Sequence, residues 1–155
     1  MKTLLALLLL ISSLSWGADF QKGLTAAKQG DYATAIKEWT PIAEQGDAAA
    51  QFNLGVIYDN GYGVEQSYKT AAKWYTLAAE QGNVSAQYNL AIIYDNGRGV
   101  VQNYKTAAKW YTLAAEQGDV SAQYNLGHMY SNGEGVVQNY KTAAKWYTLA
   151  AEQGD

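Results

Sequence analysis

The residue best suited to acid–base chemistry near neutral pH is His128, the one histidine of this 155-residue chain. A hydrolytic triad or a zinc site would need partner ligands, and the sequence has no cysteine and no second histidine to supply them. Proton transfer also needs a second positioned group, which the sequence does not indicate near His128. We therefore predict no catalytic residue and no metal site.

Carboxylates and glycine-rich stretches are the other features that could hold a metal or a phosphate. The stretch from Asp59 to Gly61 begins like a calcium loop, but it lacks the further carboxylates and the closing glutamate that calcium needs. A phosphate-binding loop would follow a strand and end in Gly-Lys-Ser/Thr, whereas Val64 follows the glycines here. The sequence therefore predicts no cofactor.

Three glutamates recur at a fixed interval, Glu80, Glu116 and Glu152. Equivalent residues of stacked helix pairs lie about 10 Å apart, because helices pack at that distance. A catalytic pair of carboxylates needs closer and more sheltered placement. These glutamates are therefore predicted to be solvated charges near helix ends.

The elements that carry these residues are repeats. The same fifteen residues, YKTAAKWYTLAAEQG, begin at Tyr68, Tyr104 and Tyr140. Polar residues fall at helical spacing on one side of each copy, and alanines and aromatic residues fall on the other. An N-cap residue precedes each copy (Ser67, Asn103 and Asn139), and a glycine ends it (Gly82, Gly118 and Gly154). Each copy is predicted to be a helix, which we name helix B. Because the identity extends to solvent-facing lysines, it indicates recent duplication rather than a shared active site.

Before each helix B lies a second predicted helix, helix A, which reads NVSAQYNLAIIYDNG from Asn83 to Gly97 in the middle copy. Asn83 is a suitable N-cap, and apolar residues recur from Ala86 at i+4, i+7 and i+8. Helix A ends in a glycine loop, where glycines permit positive φ, and the valine after the loop is expected to pack back onto the helices. Neither helix can bury its apolar side within one pair, so stacked pairs are required.

The succession AQYNLAIIYDNGRGV and then AAKWYTLAAEQG resembles the Sel-1-like repeat family, a branch of the tetratricopeptide-like helical repeats. The resemblance covers residues 47–155 and, more loosely, residues 18–46. It implies an all-α fold, a right-handed α-solenoid of antiparallel helix pairs with a period of 36 residues. Its members mostly act as adaptors that hold other proteins on a concave surface lined by the A helices. The predicted units are a divergent N-terminal capping repeat at 18–46, with Pro41 kinking its second helix, and repeats at 47–82, 83–118 and 119–155.

Residues 1–17 have the layout of a secretory signal peptide, with Lys2, an apolar run from Leu4 to Ile11, and small residues near Gly17. The run is shorter than the roughly 20 residues that span a bilayer, so no stable membrane anchor is expected after cleavage. This predicts a periplasmic or secreted protein.

The chain is mildly acidic, with a formal net charge of −3, which argues against nucleic acid as a partner.

Positions at which the copies differ carry more functional information than those at which they agree. Three columns are candidates for partner contacts, with one residue from each repeat: Phe52, Tyr88 and Tyr124; Val56, Ile92 and His128; and, at the tip of the glycine loop, Tyr62, Arg98 and Glu134.

Our leading hypothesis is an exported protein–protein interaction scaffold that binds a partner protein or peptide on the concave A-helix surface. The alternatives are a secreted host-interacting factor and a hydrolase or β-lactam-modifying enzyme. The enzyme is disfavoured because no sheltered cluster of unlike polar residues is seen.

No polar closing helix follows the third repeat, although solenoids usually require one. We expect either that the chain is part of a longer array or that another copy or a partner covers this side, so self-association is one outcome. On this view four residues should be more exposed than their counterparts in the earlier repeats: Leu126, Met129, Tyr147 and Ala151.

Overall fold

The computed structural model describes residue 17 and residues 19–153. Its helices are α1 (residues 19–28), α2 (Tyr32–Glu44), α3 (Ala48–Asn60), α4 (Tyr68–Glu80), α5 (Val84–Asn96), α6 (Tyr104–Glu116), α7 (Val120–Asn132) and α8 (Tyr140–Ala151). The described part of the chain contains no strand. The predicted signal peptide, apart from residue 17, lies outside the described residues. Among the helices that are described, none combines the length and apolar character needed to cross a membrane.

Helix boundaries follow the capping signals. Ser67 and Asn83 each precede a helix, and their side chains accept a hydrogen bond from the backbone N–H three residues on. Asn103 and Asn139 do the same for α6 and α8. At the other end, Gly97 ends α5 in the left-handed region with φ of 66°, which a residue with a Cβ would adopt at a cost. The predicted N-caps are confirmed, whereas Gly154 lies outside the described residues.

The helices alternate along a solenoid. The A helices α3, α5 and α7 each pack against the helix before and the helix after them, and α3 also contacts α5. The B helices α4 and α6 are therefore covered by A helices from two successive repeats. Leu54, Leu90 and Leu126 are fully buried between these layers, among alanines that let the helices approach closely. The predicted all-α solenoid of helix pairs is confirmed.

The divergent N-terminal segment supplies the opening pair, α1 and α2. Trp39 on α2 is 3% exposed, and its indole N–H donates to the carbonyl oxygen of Phe20 on α1 at 3.2 Å. Gly23 leaves room for this ring, because a Cβ there would lie 2.5 Å from the indole nitrogen. Pro41 lies inside α2, and the helix continues through it to Glu44 without a break.

A column of buried glutamines joins the repeats, and sequence analysis did not assign it a role. Gln87 on α5 is 3% exposed. Its Nε2 donates to the carbonyl oxygen of Ala79 on α4 at 3.1 Å, and its Oε1 accepts from Gln117 Nε2, just beyond α6, at 2.8 Å. Gln51 and Gln123 make the same two kinds of bond in the repeats before and after. Each glutamine thus connects three successive helices through its own side chain.

The expectation that four residues of the third repeat are more exposed than their counterparts is half right. It is wrong for Leu126 and Met129, which are 0% and 2% exposed, because α8 of their own repeat covers them. It is confirmed for Tyr147 and Ala151. Tyr75 and Tyr111, the counterparts of Tyr147, are buried, whereas Tyr147 is half-buried. Ala151 is exposed, whereas its two counterparts are 2% exposed.

Candidate functional site

The two helix columns predicted to contact a partner lie side by side on the A helices. Their members are four residues apart on each helix, so they project from the same helix face one turn apart: Phe52 and Val56 on α3, Tyr88 and Ile92 on α5, Tyr124 and His128 on α7. Exposure rises along the solenoid. The residues on α3 and α5 are half-buried, whereas the side chain of His128 is 54% exposed and Tyr124 is 59% exposed. We name these six residues together with the loop-tip column the A-helix strip.

The aromatic column packs against tyrosines of the B helices. The ring centroids of Phe52 and Tyr75 are 5.9 Å apart, and those of Tyr124 and Tyr147 are 5.4 Å apart. Because Tyr147 is only half-buried, a pocket of about 750 Å³ lies beside it in the third repeat. It is lined by Tyr88, Val120, Ser121, Tyr124, Tyr147, Ala150 and Ala151. This pocket is largely apolar and has a size suited to side chains of a partner.

The buried tyrosines make polar contacts that differ between repeats. The Tyr75 hydroxyl donates to Asp59 Oδ2 at 3.2 Å, and the side chain of Asn89 on the next A helix lies close enough to lower its pKa slightly against the rise. The Tyr111 hydroxyl donates in the same way to Asp95 Oδ2, at 3.4 Å, and Asn125 takes the place of Asn89 near it. Burial is the main reason that the pKa of both tyrosine hydroxyls is raised well above its ordinary value.

In the third repeat this arrangement is incomplete. Ser131 takes the place of the aspartate, and no described A helix packs on α8 from the side where Asn89 and Asn125 stand in the earlier repeats. Among the described residues, the Tyr147 hydroxyl has no hydrogen bond. Among the described residues, the third repeat therefore lacks the aspartate to which the tyrosine hydroxyl donates in the first two repeats.

A small polar cluster adjoins the strip at α7. His128 Nδ1 lies 3.6 Å from Glu134 Oε2, and the Asn132 amide nitrogen lies 3.0 Å from His128 Nε2. Asp95 on the neighbouring helix α5 lies near both Glu134 and His128. Burial raises the pKa of the Asp95 carboxyl, and the Glu134 carboxylate raises it further, while His128 opposes the rise. This cluster has the charge and exposure to receive a basic group of a partner.

The loop-tip column extends the strip toward the preceding repeat. The ring of Tyr62 stacks on Tyr32 with centroids 5.0 Å apart, and the Arg98 guanidinium carbon lies 5.6 Å from the centre of the Tyr68 ring. Tyr62 and Val56 line a common pocket of about 270 Å³. In the first repeat, Tyr62 at the loop tip thus lies beside Val56 of the second column. In the third repeat, Glu134 at the loop tip lies beside His128.

Some residues of this surface were missed by the sequence reasoning. The tyrosines beneath the aromatic column, Tyr75, Tyr111 and Tyr147, were assigned to packing, and the asparagines near the first two were not singled out. These residues are identical in every copy. The sequence alone therefore does not show whether they are required for a contact or were simply duplicated. In the part of the chain that the structure describes, no group of three or more histidine, aspartate or glutamate side chains could hold a metal ion.

Comparison with solved structures shows the same architecture. A Sel1 repeat protein from Oxalobacter formigenes matches with 40% identity and a TM-score of 0.81 over 87% of this chain and 56% of that chain. A protective antigen present in uropathogenic Escherichia coli strains, which displays an SLR fold, matches with 39% identity and a TM-score of 0.84 over 90% of this chain and 31% of that chain. This chain therefore spans about half of the first protein and about a third of the second.

A more distant similarity supports the fold alone. Cysteine-rich protein B of Helicobacter pylori matches with 24% identity and a TM-score of 0.58 over 79% of this chain and 88% of that chain. No curated protein gives a significant match.

The family model for the Sel1 repeat matches residues 48–83, 84–119 and 120–155, which together make up more than half of the sequence. The chain therefore belongs to the Sel1 repeat family.

Proposed function

We propose that this protein is an exported scaffold that binds a segment of a partner protein on the A-helix strip. Sel1 repeats commonly mediate protein–protein interactions, and proteins built from them are generally non-enzymatic scaffolds. The observation that carries the proposal for this chain is the apolar pocket beside Tyr124, which adjoins the polar cluster of His128 and Glu134.

The two parts of this surface favour a particular kind of segment. Tyr124 and His128 lie one helical turn apart, a separation of about 6 Å between their Cβ atoms. An extended chain advances about 3.3 Å per residue, so two side chains about two residues apart can occupy both places. The pocket favours an aliphatic or aromatic side chain, and the carboxylates of Asp95 and Glu134 favour a lysine or arginine. The preferred ligand is therefore an extended segment with an apolar and a basic residue at that spacing.

The compartment is proposed from the sequence of residues 1–17. A fusion of these residues to alkaline phosphatase, which is active only after export, should give active enzyme in a bacterial host. A fusion that lacks Leu4 to Ile11 is the control and should stay inactive, because the apolar run is the part recognised for export. An inactive full fusion would refute the proposed location in the periplasm or outside the cell.

Capture of partners from a periplasmic extract tests the binding surface. Tyr124→Ala and His128→Ala should each reduce the amount of captured partner several-fold, because exposed anchors dominate binding energy. Their melting temperatures should stay within a few degrees of the original chain, since both side chains are more than half exposed. Lys105→Ala, at an exposed position of α6, is the matched control and should capture the partner normally.

Two results would count against this function. Unchanged capture by both strip variants would show that the partner binds elsewhere. Turnover of ester, glycoside or lactam substrates by the purified chain would favour an enzyme instead.

A further inference from the structure

Each A helix ends in an asparagine followed by a glycine. The pairs are Asn60 and Gly61, Asn96 and Gly97, and Asn132 and Gly133. All three asparagines are exposed, and the glycines have φ of 70°, 66° and 75°. Asparagine is chemically labile before glycine, because glycine has no side chain to keep its backbone nitrogen away from the asparagine carbon Cγ. The three pairs are therefore matched sites for the same reaction, the loss of the side-chain amide.

The side-chain amides of the three asparagines have different partners. Asn60 Nδ2 donates to the carbonyl oxygen of Val56 at 2.9 Å, and Asn96 Nδ2 donates in the same way to the residue four positions before it, at 2.9 Å. Asn132 Nδ2 lies instead 3.0 Å from Nε2 and 3.4 Å from Nδ1 of His128. A helix carbonyl thus holds the first two amides, whereas the third contacts a group that transfers protons near neutral pH.

The imidazole of His128 is placed to act on that amide. Its side chain is 54% exposed, so it exchanges protons with water. Glu134 Oε2 lies 3.6 Å from Nδ1, and the ring therefore contacts a carboxylate as well as the amide. A carboxylate beside an imidazole helps to fix the orientation of the ring, as in hydrolytic triads. Only the third of the three pairs has these neighbours, because Val56 and Ile92 stand at the position of His128 in the earlier repeats.

We propose that Asn132 is a self-modification site, at which the side chain deamidates through a cyclic imide with His128 as the proton donor. The backbone nitrogen of Gly133 bonds to Asn132 Cγ and loses its proton to water. The bond between Cγ and Nδ2 breaks, and the His128 imidazolium supplies the proton with which Nδ2 leaves as ammonia. One water molecule then opens the imide to aspartate or isoaspartate, and the imidazole regains its proton from solvent. The product adds a carboxylate to the polar cluster of His128 and Glu134.

The helix end slows the first step at all three pairs. The Gly133 N–H donates to the Met129 carbonyl oxygen at 2.8 Å, and the N–H groups of Gly61 and Gly97 donate to the carbonyl oxygens four residues before them. The last helical turn must open before a glycine nitrogen can react, and helix ends open at low cost in free energy. Because all three pairs share this requirement, it does not decide which of them reacts first.

The residue before the asparagine is a second difference between the pairs. Ser131 precedes Asn132, whereas an aspartate precedes Asn60 and Asn96. A neighbouring carboxylate opposes the loss of a proton from the glycine nitrogen, so the serine also favours reaction at Asn132. Ser131→Asp removes this difference and keeps His128, and it therefore separates the two causes.

Peptide mapping by mass spectrometry measures the reaction in the full chain. The purified chain is incubated at pH 7 and digested with trypsin, and fragment spectra assign the change from amide to acid to each asparagine. The pairs fall on different tryptic peptides, because Lys73 and Lys105 separate them. We expect Asn132 to react at least about tenfold faster than Asn60 and Asn96. This is less than the roughly hundredfold effect of a well-placed proton donor, because His128 is more than half exposed.

His128→Gln tests the role of the imidazole. It removes the proton donor at an exposed position and should lower the rate at Asn132 at least about tenfold, while Asn60 and Asn96 in the same sample stay unchanged as internal controls. Ser131→Asp should keep most of the advantage of Asn132. In the chain unfolded in urea, His128→Gln should no longer affect Asn132, because the contact with the imidazole is lost. A protein isoaspartyl methyltransferase detects the isoaspartate that opening of the imide produces.

Four results would overturn the proposal. Equal rates at the three pairs, or an unchanged rate in folded His128→Gln, would show that the imidazole does not assist the reaction. Loss of the whole advantage in Ser131→Asp would assign the effect to the preceding residue. An equally large effect of His128→Gln in urea would show that the folded contact is not required. Deamidation of Asn132 without isoaspartate would exclude the cyclic imide.

Discussion

The buried glutamine column makes a quantitative prediction about stability. Gln87→Glu keeps the size and shape of the side chain but replaces the amide that donates to the Ala79 carbonyl oxygen. Above its pKa the new carboxylate faces that carbonyl oxygen with no proton to donate, at a position that is 3% exposed. The lost hydrogen bond costs about 1 kcal/mol, and the buried charge costs about 1 to 3 kcal/mol more. We expect a total loss of about 2 to 4 kcal/mol in the free energy of unfolding at pH 8.

The loss should depend on pH in a defined direction. Burial raises the pKa of the introduced glutamate above its value in the unfolded chain, about 4.3. The destabilisation is therefore complete above the raised pKa of the folded state, and it shrinks as the pH falls toward the unfolded value. Once protonated, the carboxyl can again donate to the Ala79 carbonyl oxygen.

Urea unfolding followed by circular dichroism at pH 8 and pH 5 measures both effects. Gln117→Glu is the matched control, because it changes the exposed partner of the same hydrogen-bonded pair and should cost no more than about 1 kcal/mol. If Gln87→Glu were as stable as the original chain at pH 8, or if its loss did not shrink at pH 5, the glutamine column would not hold the repeats together as described.

Two further predictions concern the packing of the A helices. Gly127→Ala should stabilise the chain by up to about 1 kcal/mol in urea unfolding, because alanine is the better helix former and the half-buried Tyr147 ring, 2.9 Å from the added Cβ, can shift. Compared with Gly127→Ala, Gly55→Ala should change the free energy of unfolding less favourably by about 1 kcal/mol or more, because its Cβ would lie 2.5 Å from the fully buried Tyr75 ring. A Gly55→Ala chain more stable than the Gly127→Ala chain would contradict this reasoning. The raised pKa of Asp95 means that its ionisation opposes folding, so the stability it contributes is present below the unfolded pKa and is lost as the pH rises through the folded pKa. Asp95→Asn should therefore gain stability relative to the original chain as the pH rises from about 4 to 7. Glu116→Gln, at an exposed position, is the control, and a constant difference for Asp95→Asn across this range would refute the assignment.

Local features of the fold were predictable because they depend on residues close together in the chain. The caps at Ser67 and Asn83 and the left-handed glycine at Gly97 act within one helical turn, and the structure confirms them. The pairing of helices follows from apolar faces that recur with each repeat. The candidate columns were predictable as positions of variation, whereas their use by a partner stays a prediction.

Contacts between distant residues were decided only by the tertiary structure. Tyr75 bonds to Asp59 across 16 residues, and Gln81 bonds to Gln51 across 30, so no pattern within one helix reveals them. The expectation for Leu126 was wrong because it assumed that both helices of the third repeat would be exposed. In the structure α8 covers α7, so the exposed surface is the outer face of α8.

The repeated helix separates the two kinds of information. Its sequence by itself determined that α4, α6 and α8 are helices with one apolar side, because helical periodicity and capping act within the segment. Whether that side is buried was decided by the neighbour across it: Tyr75 and Tyr111 lie between two A helices, whereas Tyr147, in the same sequence, packs on one A helix among the described residues. Burial is a property of the contact between two elements, so identical sequences acquire different surfaces and different capacities to bind.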